Sequence, residues 1–446
     1  MTDELGEVEV FVGNLEIGMR VTRLDRPWEE TDFLLQGFVI ESEADIYSLR
    51  RQCDSVFVET RVQFAEPGAF RHSPGRRREN LGLSARGGLT TLGTPVDKPP
   101  RDRQRIPKKP VAHINKVNFE RELPKARQYY DTAKETVKSI MEGIRIGRAI
   151  DINESRKVVD SIVDSILRNA DALIWHTKLK DKDEYTAEHS LNVCILSIAF
   201  AKHLGYREAD IRKIGLCGFL HDVGKSKIPH EVLVKPSRFT DDEFELMKKH
   251  TVFGRNLLMS LKKADHSAID VAFCHHERID GGGYPRGVKG ENIPFFAKVV
   301  ALADTYDAIT SSRCYDQGRS SMDALDIIYK CRGTQFDEEL AVEFIKCIGV
   351  YPPGSIVQIN TGEIAIVLGS NVESKLRPKI MLVLDENKEP QHERMVDLQF
   401  CLRGTMEIAC ELPNGSHGVD VREYYKRGLI MTQQTEAEQS DEKVDE

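Results

Sequence analysis

The sequence predicts a mainly α protein: a helical core preceded by a small α+β domain and followed by a small β-rich unit. Residues 118–350 keep apolar side chains at helical spacing, with Pro and Gly between segments, whereas residues 10–64 and 355–400 place them at alternate positions. Between these regions, residues 66–115 shift to Pro, Gly and Arg. A chain of 446 residues has room for about three domains and at least one sizeable core. Composition and periodicity predict an α+β domain over 1–65, a basic linker over 66–115, a helical connector over 116–170, the main helical domain over 171–350, the β-rich unit over 351–431 and an acidic tail over 432–446.

In the first of these, "GMRVTRL" puts Met19, Val21 and Leu24 on one strand face, Ser42 caps a helix carrying Ile46, Leu49 and Cys53, and "SVFVET" forms a further strand. In the linker, residues 71–110 hold eleven Lys or Arg against three Asp or Glu. No aromatic residues are interleaved as stacking platforms, so a solvated tether accounts for this run better than an RNA-binding or lipid-binding arm. Within the helical region, Thr240 and Glu243 form a capping-box pattern, which predicts a helix with His250 about three turns in. Beyond it, "SIVQINTGEIAIVLG" reads as a hairpin around Asn360, Thr361 and Gly362, and "KIMLVLD" as another strand.

Composition excludes several classes. A net charge of -8 with 30% charged residues weighs against bulk affinity for nucleic acid. Val193 to Ala201, broken by Ser197, falls far short of the roughly 20 apolar residues a membrane span needs. The acidic "MTDELGEVEVF" is unlike a secretory signal, and the nine cysteines show no CxxC pair, so a cytoplasmic protein with reduced thiols is expected. Cys194, Cys217 and Cys274 read as small packing residues.

Nine of the thirteen histidines lie between His176 and His276. Five arrive in company with acids or lysines: His189 in "EHS", His221 in "HDVGK", His250 in "KKH", and His275 and His276 in "HHE". His221 and Asp222 at a helix end supply an imidazole and a carboxylate whose two oxygens can each hold a cation. Gly224 lets the chain turn there, and Lys225 follows as a cation suited to a phosphate oxygen. His275 and His276 differ by about a hundred degrees in direction on a helix and so approach a metal cluster from two sides. Asp304 interrupts an apolar helix, "AKVVALADTYDAITSSR", where a carboxylate is costly unless paired or metal-bound. Imidazole and carboxylate donors without thiolate suit iron, manganese or another six-coordinate first-row metal. Two such ions about 3.5–4 Å apart neutralise a phosphoester and activate water.

The ordered segments "EHSLNV", "HDVGK", "KKHTVFG", "HHERIDGGGYPRGVKGE" and "ALADTYDAITSSR" resemble the HD-GYP family, a branch of the HD-domain metal-dependent phosphohydrolases that hydrolyse the bacterial second messenger cyclic di-GMP. The resemblance spans about 176–350, and "LDRPWEETDFLLQGFVI" is similar to a small domain often found ahead of that family's catalytic domain. It implies an all-helical HD-type fold in which His189, His221, Asp222 and Asp304 hold one divalent metal. His250, His275 and His276 hold the second, and Asp222 bridges the two. Asp222 and Lys225 are then the catalytic pair, Lys225 and Arg313 contact the scissile phosphate, and Tyr284 lies beside a guanine in a pocket shaped by Gly281, Gly282 and Gly283. Arg286 is counted with this substrate loop, which it also supports along with Asp280 and Lys289. The implied reaction is in-line attack of activated water on a 3′,5′-phosphodiester, giving linear pGpG and then GMP.

Some members of the family carry a glutamate one turn before the first histidine and bind a third metal; here Tyr185 stands there, between Glu184 and Glu188, so two metals are expected. Asp316, three residues past Arg313, replaces a customary basic residue and weakens substrate binding by roughly 1–3 kcal/mol if it points inward. The alternatives are hydrolysis of another cyclic dinucleotide such as cyclic GMP-AMP, or a non-catalytic sensor that docks a GGDEF-type synthase through the GYP surface. A homodimer is a further partner expectation.

Overall fold

The computed structural model describes residues 6–26, 28, 31, 33, 37–40, 42–60, 105–179, 185–235, 237–261, 264–311, 318–371 and 374–426. Most of the basic linker, the acidic tail, Arg313 and Asp316 lie outside them.

The chain divides into two units. The first contains β1 (Gly6–Phe11), β2 (Arg20–Leu24), β3 (Phe38–Val39), α1 (Glu43–Gln52) and β4 (Ser55–Thr60), its four strands forming an antiparallel sheet in the order β1-β4-β2-β3. Ser42 caps α1 in a capping box with Asp45, and Ile46, Leu49 and Cys53 are buried behind it. Val21 and Leu24 are both buried although three residues apart, because the pairing of β2 with β4 shifts register between Val21 and Arg23. Met19 precedes the strand.

The second unit starts with α2 (Phe119–Arg145), α3 (Ile152–Arg168) and α4 (Ala170–His176), followed by α5 (Tyr185–His203) and α6 (Glu208–Leu220). A 3-10 turn, Val223–Lys227, leads to α7 (His230–Leu233), α8 (Asp241–Lys248), α9 (His250–Met259) and α10 (His266–Cys274). The bundle closes with α11 (Phe295–Thr310), α12 (Ser321–Lys330) and α13 (Glu338–Ile348). On α3, Ile152, Val159, Ile162, Val163 and Ile166 form the inward stripe expected of a surface helix, whereas α5 is buried along its length from Ala187 to Lys202. Its continuous apolar run is the signature of a central bundle helix. No helix among the described residues is long and apolar enough to cross a membrane.

The capping box of Thr240 and Glu243 does start α8, but α8 ends at Lys248 and His250 opens the next helix. Lys249 is the hinge between them, so His250 lies at the beginning of α9 and not three turns into one long helix.

The same unit ends in β5 (Ile356–Ile359), β6 (Ile364–Gly369), β7 (Lys379–Leu384), β8 (Pro390–Asp397), β9 (Ile408–Leu412) and α14 (Val421–Lys426). The strands form an antiparallel sheet in the order β8-β7-β6-β5-β9. Strand alternation separates its faces: Ile356, Ile364, Ile366, Leu368, Met381 and Val383 join the helical core, while Val357, Ile359, Ala365, Val367, Ile380 and Leu382 build a second small core with Tyr351 and Leu398. Both faces of β6 are therefore buried, and the sheet is an integral layer on the bundle. Asp171 on α4 pins the end of β6 by accepting from the Ser370 backbone amide at 3.1 Å and from its hydroxyl.

Candidate metal centre

Helix ends and the interiors of two helices build the site. His189 projects from the first half of α5, His221 caps the C-terminus of α6, Asp222 leads into the 3-10 turn, His250 opens α9, His275 caps α10 with His276 next, and Asp304 lies midway along α11. Elements far apart in sequence thus present these side chains to one point, and all but His276 are buried.

Asp222 is at the centre. Its Oδ2 lies 3.3 Å from His221 Nε2 and 3.5 Å from His189 Nε2, while its Oδ1 lies 3.3 Å from His250 Nε2 and 3.7 Å from His275 Nε2. Asp304 Oδ1 is 3.0 Å from His189 Nε2 and 3.9 Å from His221 Nε2, and its Oδ2 is 3.9 Å from His276 Nδ1. Lys225 pairs with Asp222 Oδ2 from the following turn.

The hydrogen bonds behind the rings decide what the ring edges inside can do. The Nδ1 atoms of His221, His250 and His275 meet the carbonyls of Gly218, Met247 and Val271 at 2.7, 2.7 and 2.9 Å. A carbonyl only accepts, so each Nδ1 donates and each neutral ring turns an Nε2 lone pair inward. His250 Nε2 and His275 Nε2 then face each other 3.3 Å apart, lone pair to lone pair. Among the described residues, His221 Nε2 and Asp222 Oδ1 are buried without a hydrogen-bond partner. Such an arrangement is repulsive unless a cation lies among the donors, and the residues present fit divalent metal ions.

Protonation states agree. Burial opposes the charge on Asp222, but Lys225, His221 and His250 outweigh it and hold the carboxyl well below the usual range. Burial likewise opposes Asp304, whose hydrogen bond and proximity to His189 keep it ionised. Burial and the neighbouring His276 and His221 keep His275 neutral, burial does the same for His250, and His276 is pushed down to about 3. Ionised carboxylates and neutral imidazoles are the forms that bind metal. The thiols do not compete: burial drives Cys194 and Cys217 upward and Cys274 up to about 12, so they stay protonated.

Gly224 answers a different need from the one its sequence context suggests. Its backbone does not turn left-handed; a Cβ there would stand 1.9 Å from His250 O and 2.5 Å from Gly254 N. The 3-10 turn and α9 pack backbone to backbone, which is how Asp222 and His250 come within reach of each other.

The loop after His276 folds on Glu277, a buried acid that sequence reasoning passed over. Its carboxylate accepts from the Arg286 amide at 2.8 Å and from the Val288 amide at 3.1 Å, closing the glycine-rich segment. Gly281 is left-handed (φ 85°), and a Cβ on Gly283 would meet Arg278 N at 2.4 Å and His276 O at 2.5 Å. Tyr284 stacks beside His276 with ring centres 4.7 Å apart. Phe244 on α8, with 47% of its surface exposed, meets the Tyr284 ring at 6.4 Å, and the Lys248 ammonium lies 5.2 and 5.9 Å from the two ring centres. An aromatic and cationic ledge therefore continues outward from the histidines. The Arg286 guanidinium points to Cys274 Sγ at 3.5 Å and to the Phe273 ring, and Asp280 pairs with Arg278 at 2.7 Å.

A histidine and aspartate centre set among the helices of an α bundle places the chain in the HD class of metal-dependent phosphohydrolase. The chain matches an HD domain over residues 175–340, a domain of unknown function over 8–155 and a KOW domain associated with HD domains over 356–401. It is 33% identical over 390 residues to a cyclic di-GMP phosphodiesterase of Pseudomonas aeruginosa, covering 87% of this chain and 88% of that protein. It is also similar to a cyclic di-GMP phosphodiesterase of Thermotoga maritima (37% over 166 residues; 37% of this chain, 45% of the relative) and to a 3′3′-cGAMP-specific phosphodiesterase of Vibrio cholerae (30% over 171 residues; 38% and 37%). The chain belongs to the HD-GYP family.

Proposed function

We propose that the chain is a metal-dependent phosphodiesterase that opens cyclic di-GMP to linear pGpG, with GMP as the product of a second cleavage. The observation that carries this reading is Asp222, whose two oxygens face different histidine sets: His189 and His221 on one side, His250 and His275 on the other. A bridging carboxylate in that position calls for a pair of ions. His189, His221 and Asp304 would hold one, His250, His275 and His276 the second, and Asp222 both. The nitrogen and oxygen donor set favours iron or manganese. Bound there, divalent ions supply Lewis acidity toward a phosphoryl oxygen and acidify water near neutral pH.

The protein's own groups do the rest. Lys225 pairs with Asp222 and is the nearby cation for a non-bridging phosphate oxygen, with Arg313 as its partner in that role. Gly281, Gly282 and Gly283 shape the rim, and Tyr284 offers a guanine its ring face. The exposed Phe244 and the Lys248 ammonium extend this ledge toward the second base or its phosphate. Similarity to the Pseudomonas enzyme along most of both chains favours cyclic di-GMP over 3′3′-cGAMP, to whose phosphodiesterase the likeness is shorter.

The test is anaerobic purification with metal analysis, then chromatography of products from cyclic di-GMP and 3′3′-cGAMP in parallel. About two metals per chain, with pGpG or GMP formed faster than cGAMP products, is the expected result. Metal-loaded protein that binds cyclic di-GMP without cleaving it would refute the enzyme reading.

A further inference from the structure

A buried row of polar side chains stands behind His189. Its Nδ1 meets Asp307 Oδ2 at 2.8 Å, Asn192 Nδ2 donates to Asp307 Oδ1 at 3.1 Å, and the Tyr130 hydroxyl donates to Asn192 Oδ1 at 3.1 Å. Ser311 Oγ adds a contact to Asp307 Oδ2 at 3.3 Å. Carboxylate oxygens accept, so His189 donates from Nδ1 to Asp307 Oδ2 and presents Nε2 to Asp304 and Asp222; the Asn192 amide gives an N–H to Asp307 Oδ1, and its oxygen accepts from the Tyr130 hydroxyl. One turn away, Lys134 of α2 pairs with buried Glu188 of α5 at 2.7 Å. Tyr130 and Lys134 are four apart on α2, Glu188 and Asn192 four apart on α5, and the pairs cross: 130 with 192 and 134 with 188. Two rungs of an antiparallel helix pair thus bracket the residue that carries the imidazole.

We infer that Asp307, Asn192 and Tyr130 are positioning residues that hold His189 in its ligating tautomer and orientation, and that α2 is thereby a structural part of the metal centre. This rests on the metal-centre reading above. On that reading Asp307 acts through the His189 ring, whose Nδ1 it meets at 2.8 Å. Replacing it by Asn removes the acceptor-only character: one side of the amide must offer N–H either to His189 Nδ1–H or to the Asn192 amide, and the row loses its fixed direction. At the α2 end of the row the Tyr130 hydroxyl donates to Asn192, and Tyr130→Phe deletes that hydroxyl at almost no change in volume.

The experiment uses the full chain stripped of metal and titrated with Mn2+, with free Mn2+ read by its EPR signal. Wild type, Asp307→Asn and Tyr130→Phe are compared, with unfolding temperatures of the stripped proteins alongside. The expected result is a roughly 10- to 100-fold loss of Mn2+ affinity in Asp307→Asn and a smaller loss, about threefold, in Tyr130→Phe. With cyclic di-GMP, kcat should fall at nearly unchanged KM, because the Tyr284 side of the site is untouched. Equal Mn2+ affinity in wild type and both variants would overturn the inference. Wild type that takes up no Mn2+ would instead overturn the metal reading beneath it. A purely structural role would lower the unfolding temperature without moving affinity or the kcat/KM split, and that outcome too counts against the inference. Tyr130→Phe carries the test if Asp307→Asn does not fold.

Discussion

Gly224→Ala isolates one contact on which the centre depends. The added methyl would begin 1.9 Å from the His250 carbonyl oxygen and 2.5 Å from Gly254 N, where ordinary contact starts at 3.4 Å. Both obstacles are backbone, so no rotamer relieves the clash, and the 3-10 turn and α9 must separate by about 1.5 Å. That displacement moves His250 away from Asp222, whose Oδ1 lies 3.3 Å from it. Overpacking of this kind costs about 1–3 kcal/mol, and a 1 Å error in a reacting constellation costs about 100-fold in rate. The expected protein is folded, less stable, poor in metal and at least about 100-fold slower on cyclic di-GMP. The control lies across the same contact: a Cβ on Gly254 meets Gly224 N at 3.4 Å and the Ala272 methyl at 3.5 Å. Gly254→Ala should therefore be tolerated and, in a helix interior, gain about 0.5–1 kcal/mol. Thermal unfolding, metal analysis and product chromatography on both variants form the assay. Wild-type metal content and turnover in Gly224→Ala would refute the close-approach reasoning, as would equal damage from Gly254→Ala.

Glu277→Gln keeps one acceptor oxygen but turns an amide toward the second backbone N–H, losing a charge-assisted bond worth about 1.5–3 kcal/mol. KM for cyclic di-GMP should rise with metal content retained, and loss of metal instead would place Glu277 in the centre itself. Asp222→Ala should remove or disorder the bound metal and abolish turnover; full occupancy with normal turnover would eliminate the bridging role. His176, buried against the Tyr130 ring, is pushed down to about 3 by burial first and then by Arg127, against about 6.5 in the unfolded chain. Between those values the unfolded chain binds the extra proton, so stability falls as pH drops from about 6.5 toward 3. His176→Phe should flatten the fall of unfolding temperature between pH 7 and 5, and an unchanged slope would assign the acid sensitivity elsewhere.

The residues gathered at the centre and those that orient them differ in how far apart their partners lie in sequence. His221 with Asp222 and His275 with His276 are neighbours in the chain, each at a helix end marked by local spacing, so their chemistry can be read from short segments. The capping boxes at Ser42 and Thr240 and the turn at Gly362 are legible for the same reason, since each is completed within a few residues. Asp307 has no such signature. It stands three residues after Asp304 on the same helix, but its partners Asn192 and His189 are 115 and 118 residues away, and Tyr130 is a further 62 from Asn192. Gly224 is misread for a related reason, because a glycine required by a helix from another part of the chain looks, in sequence, like a glycine required by a turn. The break at Lys249 is local, but it separates two segments that share good helical periodicity, and no Pro or Gly announces it. Local chemistry therefore reveals which side chains are able to bind, and carbonyls three or four residues back orient His221, His250 and His275, whereas at His189 packing between distant helices decides which ring nitrogen faces inward. For His189 that decision belongs to Asp307, which is why the positioning residues deserve the same mutational scrutiny as the histidines themselves.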